Sequence, residues 1–470
     1  MIEPTLILKS ILILLSVPGL LVPLLDHRRE SRRKLGFSIC VLCLLTTLTL
    51  SAQLLLNLSG SVYAFNDSLR LDAYSAYLAM LVTFGALLVA IASYSEMVQW
   101  TTALSSYSLM MLALAGVYVM LFVNDASVLL GAWALVAVAS YVLAGIKKDL
   151  SSTQGAAKYG IMGAASSSLL VYGLALVLGI AGSSQLVFNM DFTAVNEILF
   201  LGTILLISAF GFKLGVFPFH GWLPDVYGGI HPLLVSYIAG VVKMVGIAGL
   251  LRVVVPLHGV LGDSWLLTMA VFSLATMTFG NLVALLQKDV QRMMAYSSIA
   301  HAGYILIGFS VIAGPESEVA YQGIALHLTT YVLAKIGIFV SLAYMARKGL
   351  DLSLEGLSGV GRKMPAISAS LSMLVLSLMG FPPLLGFWSK FMYLFLSATD
   401  LAPWLALAGV LNSGISVGYY AQVIRYIYFR KPVEEIEEKK ADPEVLVAII
   451  TALLTIILGL GPFSLILSII

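Results

Sequence analysis

Apolar runs long enough to cross a bilayer recur from one end of the chain to the other. A spanning helix needs roughly 20 mostly apolar residues to traverse about 30 Å of hydrocarbon. Fourteen such runs stand out: Leu6–Leu25, Gly36–Leu58, Tyr74–Ser93, Ala103–Val123, Ser127–Ile146, Ala157–Ala181, Ile198–Val216, Pro232–Val255, Trp265–Leu286, Tyr296–Ala313, Ala320–Ala346, Ile367–Leu396, Ala402–Phe429 and Glu444–Ile466. The polar segments between them are short. Even the longest, near residues 347–366, has no room for a catalytic domain. The pattern predicts an all-α polytopic membrane protein, with any chemistry on a soluble head left to other chains. The first run has neither a basic region before it nor a small-residue cleavage site, so no cleaved signal peptide is expected.

Composition narrows this further. Of 470 residues, 60% are hydrophobic and 11% charged, against roughly 45–50% and about 25% in soluble domains. Nucleic-acid binders, disulfide scaffolds and disordered proteins are excluded together. The formal charge of +2 says less than its placement. Odd-numbered loops and their borders hold Arg28, Arg29, Arg32, Arg33, Lys34, Lys147, Lys148, Lys158, Lys288, Arg292, Arg347, Lys348, Arg362, Lys363, Arg430, Lys431, Lys439 and Lys440, while even-numbered ones hold Arg70, with Arg252 near another. The positive-inside rule then puts the odd loops in the cytoplasm and both termini outside. Cys40 and Cys43 form a C-x-x-C within an apolar run. With no further ligands nearby, no metal site is expected there.

Ionisable residues inside the spans cost at least a few kcal/mol each and are candidates for function. They are Lys213 in span 7, Lys243 in span 8, Lys335 in span 11, Lys390 in span 12, His301 in span 10 and His327 in span 11. Lys9, Arg252 and Arg425 lie near span ends and are expected to snorkel to water. Leaving water disfavours the charged form of a lysine, so a permanently charged group becomes one able to take up and release a proton. Four of them suggest a relay. The alternative for each lysine is a bond to carbonyls freed at a helix break, and for His301 a bond to Ser297 or Ser298.

Two lysines share a setting. Lys213 precedes Gly215-Val216-Phe217-Pro218, and Lys390 follows Gly380-Phe381-Pro382-Pro383. Proline removes a backbone donor and clashes with the preceding turn, so Pro218, Pro382 and Pro383 should break spans 7 and 12. Broken backbone at membrane depth persists only inside protein or beside a wet cavity. One interrupted, charged span in each half is the mark of a transporter built from repeats.

Three segments carry a family resemblance: Phe212-Lys213-Leu214-Gly215-Val216-Phe217-Pro218-Phe219-His220-Gly221-Trp222-Leu223-Pro224-Asp225, then Lys288-Asp289-Val290-Gln291-Arg292-Met293-Met294-Ala295-Tyr296-Ser297-Ser298, then Gly380-Phe381-Pro382-Pro383-Leu384-Leu385-Gly386-Phe387-Trp388-Ser389-Lys390. Together they resemble the antiporter-like membrane subunits of respiratory complex I. Ser140-Tyr141-Val142-Leu143-Ala144-Gly145 and Ala165-Ser166-Ser167-Ser168 are similar to the N type, which corresponds to subunit 2 of the mitochondrial enzyme and to its plastid counterpart. The resemblance implies fourteen helices with two inverted five-helix repeats. The chain then divides into residues 1–102 (spans 1–3), 103–255 (first repeat, spans 4–8), 265–429 (second repeat, spans 9–13) and 430–470 (loop and span 14). It also implies a hydrophilic axis through Lys213, Lys243 and Lys390, joined by His327 and Lys335 on the similarity of span 11 to L-type relatives.

The implied function is proton translocation within an NADH:quinone-type oxidoreductase, with no independent catalysis. Flavin, iron–sulfur clusters and quinone are expected in partner chains, alongside further antiporter-like subunits in an energy-transducing, prokaryotic cell membrane. A cation/proton antiporter subunit, a membrane-bound hydrogenase subunit and a spacer with impaired pumping are the rivals. One departure favours the spacer. The family carries a span-5 glutamate beside the span-7 lysine, and Ala134 stands at the corresponding position here. An acid from a neighbouring subunit, or Asp125 acting through water, would be the substitute.

Overall fold

A computed structural model describes residues 3–186, 197–262, 264–431 and 442–468, so Lys439 and Lys440 lie outside the described residues. The principal helices, in chain order, are α1 (Pro4–Leu21), α2 (Glu30–Asn57), α3 (Ala73–Ala92), α4 (Ala103–Phe122), α5 (Ala126–Ala144), α6 (Leu150–Ala181), α7 (Glu197–Leu214), α8 (Leu223–Gly229), α9 (Pro232–Leu261), α10 (Ser264–Leu285), α11 (Val290–Val311), α12 (Ser317–Arg347), α13 (Pro365–Met379), α14 (385–397), α15 (Pro403–Phe429) and α16 (Pro443–Gly459). Among the described residues, eleven helices are long and apolar enough to cross a membrane, and α13 and α16 are shorter apolar helices. An antiparallel hairpin of β1 (Val62–Ala64) and β2 (Leu69–Leu71), with Tyr63 opposite Arg70, joins α2 to α3.

Carboxylates sit at the helix ends for a local reason. Asp72, Asp125, Asp149 and Asp289 accept backbone N–H groups in the first turns of α3, α5, α6 and α11, satisfying donors that have no intrahelical partner. These four acids are thereby used as caps at the helix ends.

Burial sorts the helices. The apolar stretch of α12 is wholly buried and that of α11 nearly so, whereas α1, α2, α6 and α10 leave most of theirs uncovered. Exposed Leu20, Leu42 and Ile161 belong to this outer belt. Lipid is as apolar as leucine, so association inside a membrane depends on close packing of small residues. The contact of α10 with α11 shows this: a Cβ on Gly280 would stand 2.5 Å from the Ala300 nitrogen, and one on Gly303 would stand 2.5 Å from the Met277 nitrogen. The two backbones touch, and no larger residue fits.

Arg252 departs from expectation. It does not snorkel but is 10% exposed, paired with Asp72 at 2.7 Å and donating to the Leu121 carbonyl (2.7 Å) and Ser75 Oγ (2.6 Å). Asp72 and Ser75 at the start of α3 give it a partner close by, so the guanidinium has no need to reach for water. Lys9 and Arg425 are exposed.

Candidate functional site

Both interrupted helices stop beside a lysine. Helix α7 ends at Leu214, and Gly215 turns the chain at φ +75°, where a Cβ would also meet Leu223 Cδ1 at 2.5 Å. Pro218 is exposed in the loop before α8. The Phe212 carbonyl at the helix end accepts both the Gly215 amide (3.0 Å) and the Trp222 indole N–H (2.9 Å). Helix α13 ends at Met379, with Gly380 at φ +91° and Pro382 and Pro383 following, and the chain resumes at Leu385. Lys390 lies within a π-helical stretch, Trp388–Leu394, and Lys243 immediately follows another, Ile238–Val242. Such wide turns recur at functional positions.

Lys213 is buried among rings. Its ammonium donates to Tyr159 Oη at 3.3 Å and lies over Tyr141 (4.8 Å), Tyr159 (4.9 Å) and Trp133 (5.7 Å). Tyr159 in turn stacks on Trp222 with centroids 4.2 Å apart. The α5 residues at this site are therefore Trp133 and Tyr141, while Ala134 is exposed on another face of the helix. This corrects the picture of Ala134 as the residue facing Lys213. Asp125 does not reach it either. That carboxylate accepts from the Ser127 and Val128 amides and from Ser184 Oγ at the end of α5. Among the described residues, no carboxylate lies within 4.0 Å of any of the four buried ammoniums.

The second half holds a continuous chain of hydrogen bonds. Lys335 donates to Ser297 Oγ (2.7 Å) and to the Met294 carbonyl (2.9 Å). Ser297 Oγ and Tyr420 Oη share a bond of 2.6 Å, and Tyr420 Oη meets His301 Nε2 at 3.1 Å. His301 Nδ1 lies 2.9 Å from His327 Nε2, and His327 Nδ1 lies 3.1 Å from Ser389 Oγ. His301 thus engages His327 and Tyr420 directly, and reaches Ser297 only through Tyr420. All of these side chains are buried.

The remaining lysines join at the edges. Lys243 donates to the Ser298 carbonyl (2.9 Å) and to Tyr331 Oη (3.2 Å), and the ring of Tyr331 faces both Lys243 (5.1 Å) and Lys335 (5.8 Å). A cavity of about 20 Å³ beside Lys243 and Tyr331 exceeds the space one water needs. Lys390 follows Ser389 in sequence, but its ammonium turns to the Leu378 carbonyl (2.7 Å) and Ser413 Oγ (3.3 Å), over the Tyr304 ring. The Leu378 bond is of the kind expected for a lysine capping a helix break. Among the described residues, Lys213 is joined to the row by no hydrogen bond within 3.5 Å: Tyr159 stacks on Trp222, Trp222 meets Tyr227 edge-on, and Tyr227, which couples electrostatically to Tyr159 and Tyr331, has no partner within that distance at Oη.

Several participants escaped the reading of the sequence. Tyr331 carried a signal, since His327, Tyr331 and Lys335 recur every four residues on one face of α12. Tyr304 is one turn beyond His301. Tyr420 and Ser413 had none, being ordinary polar residues in a distant span. Among the described residues, no three His, Cys, Asp or Glu gather where a metal ion could be held, and Cys40 and Cys43 are buried and free.

Comparison with known proteins adds the context. The family described as NADH:quinone oxidoreductase/Mrp antiporter, TM, matches residues 123–416. The F(420)H(2) dehydrogenase subunit N of Methanosarcina mazei is 32% identical over 414 residues, which is 85% of this chain and 83% of the relative. The NADH-quinone oxidoreductase subunit N of Trichlorobacter lovleyi is 32% identical over 412 residues, covering 86% and 84%. A chain of respiratory complex I from Thermus thermophilus superposes with a TM-score of 0.82 at 28% identity, over 97% of this chain and 98% of that one.

Proposed function

The chain belongs to the NADH:quinone oxidoreductase/Mrp antiporter membrane family, and on that premise we propose that it is a proton-translocating membrane subunit of a complex I-type oxidoreductase. It moves protons along the buried lysine and histidine row. The observation that carries this reading is the unbroken run from Lys335 through Ser297, Tyr420, His301 and His327 to Ser389.

Each member can take up one proton and release another. Hydroxyls do both, and a neutral imidazole donates from one nitrogen and accepts on the other. A proton leaving Lys335 is replaced down the line without any group travelling far. Tyr331 and the small cavity bring Lys243 to the same row, so α9 delivers to α11 and α12. Lys390, next to Ser389 in sequence but hydrogen-bonded to Leu378 and Ser413, is the exchange group proposed for the α13–α14 side. Burial excludes competing water, and backbone carbonyls at Met294, Ser298 and Leu378 fix the ammoniums in place.

Electron transfer, with flavin, iron–sulfur clusters and quinone, falls to partner subunits, and further antiporter-like subunits adjoin this one in the membrane arm. The donor is NADH or a related reductant, such as the F(420)H(2) in the name of the Methanosarcina relative. The basic loops face the cytoplasm and the termini the outside. A spacer with impaired pumping is the second reading, favoured by the gap between Lys213 and Tyr331.

Proton uptake per electron by the purified complex in vesicles separates the two. Lys390→Ala in an assembled complex should lower that ratio, and an unchanged ratio overturns the pumping role of the row.

A further inference from the structure

Each of the four buried ammoniums lies over an aromatic face, at 4.3–5.8 Å from a ring centroid. The closest approach is that of Lys390 to Tyr304, at 4.3 Å. A cation within about 6 Å of a ring face is drawn to its negative quadrupole, more strongly when both are out of water. Lys390 and Tyr304 are both fully buried. The two hydrogen bonds of Lys390 go to neutral acceptors, the Leu378 carbonyl and Ser413 Oγ.

The ring is also fixed. Tyr304 Oη accepts from Asn281 Nδ2 at 2.9 Å, and Asn281 is itself held by the Asn412 carbonyl (3.1 Å) and by the Tyr419 hydroxyl, which donates to Asn281 Oδ1 (3.1 Å). Three helices, α10, α11 and α15, therefore fix one face against one ammonium. Lys390 acts electrostatically on His301 of α11 and on His327 and Lys335 of α12, and among the described residues no carboxylate lies within 4.0 Å of its ammonium.

We propose that Tyr304 is a positioning residue for proton transfer at Lys390, its ring face holding the protonated ammonium where a carboxylate would otherwise stand. The proposal rests on the reading of Lys390 as a proton carrier. It explains how a row of lysines without a nearby acid carries charge inside the membrane, and why a three-residue amide and hydroxyl cluster is spent on the far end of one tyrosine.

The test uses the assembled complex in vesicles and follows proton translocation against pH. Tyr304→Phe keeps the face, and fluorinated phenylalanines at the same position weaken it stepwise at nearly constant size. Successive fluorines should move the alkaline limb of the profile to lower pH, by about one unit for the most fluorinated ring. Tyr304→Leu should do so in one step, and the graded series keeps the test sound where that variant fails to assemble. Profiles that superimpose across the series, while Lys390→Met stops pumping, make Tyr304 a packing residue and overturn the proposal. If Lys390→Met itself pumps like the parent, the carrier reading falls instead.

Discussion

His301 Nδ1 meets His327 Nε2 at 2.9 Å, joining α11 to α12 by a direct imidazole–imidazole hydrogen bond. One nitrogen of the contact must donate and the other accept, so a single proton occupies the bridge. His301 also meets Tyr420, and His327 meets Ser389, so the pair joins the two ends of the row through a single bond.

Replacing His301 with leucine removes both contacts and leaves no titratable atom in their place. Transfer through the row should fall by on the order of 10²-fold, the scale at which positioned acid–base groups act, while the complex still assembles. Acidification of vesicles driven by electron transfer measures it. An H301L complex that keeps its proton-to-electron ratio would show that protons pass elsewhere.

Lys243 and Lys335 should be separable from packing by methionine, which keeps much of the volume and drops the ammonium. In Lys335→Met, Ser297 retains Tyr420, and the Met294 carbonyl still accepts from Ser298 Oγ at 2.9 Å. Stability should therefore change by no more than about 1–3 kcal/mol, and pumping should fail in either variant. If both single variants pump normally, these lysines are structural.

The legibility of this molecule in its sequence is uneven, for physical reasons. Spans are written as hydropathy, and the breaks at Gly215 and Gly380 as glycine beside proline, so both can be read directly. The buried lysines emerge by subtraction, because nothing else charged lies far from a loop. What connects them is hidden. Tyr420 reaches His301 across 119 positions, and Asn281 reaches Asn412 across 131; no local pattern encodes such contacts. Rotation about a helix is hidden too. The family pattern places Ala134 opposite Lys213, but Trp133 and Tyr141 face the lysine while Ala134 points outward, one residue being about a quarter turn.

That rotation yields a prediction. A glutamate introduced by Ala134→Glu should project from the exposed face of α5 and leave Lys213 in its aromatic surround. The pH dependence of pumping should then match the parent. A shifted profile would mean that the new carboxylate does reach Lys213.

Asp72 both caps α3 and neutralises Arg252. Asp72→Asn keeps the capping oxygen but strands a guanidinium that is only 10% exposed. Breaking one side of a buried pair costs about 3–5 kcal/mol, so the purified complex should lose thermal stability by that order. Replacement of both residues, Asp72→Asn with Arg252→Met, should recover part of it. A single variant as stable as the parent would show the pair to be solvated.

Glu96 gathers the basic-loop side of the bundle. Its carboxylate accepts from His231 Nε2 at 2.9 Å at the start of α9 and lies 3.8 Å from Lys147 at the end of α5. His231 Nδ1 accepts the Leu233 amide, so its proton sits on Nε2, directed at Glu96. Burial pushes the Glu96 carboxyl up, but the His231 hydrogen bond together with the charges of Lys147 and Arg347 outweighs it and holds the group below its ordinary value. A carboxyl depressed in the folded state adds stability above its unfolded value, near 4.3, and loses it as pH falls through the folded value. Glu96→Gln should therefore cost about 1.5–3 kcal/mol at neutral pH, the scale of a hydrogen bond to a charged group, and should flatten the fall in stability between about pH 5 and pH 3. Thermal unfolding of the detergent-solubilised complex across that range decides it: parallel curves for parent and variant would mean that Glu96 carries no folding-linked proton.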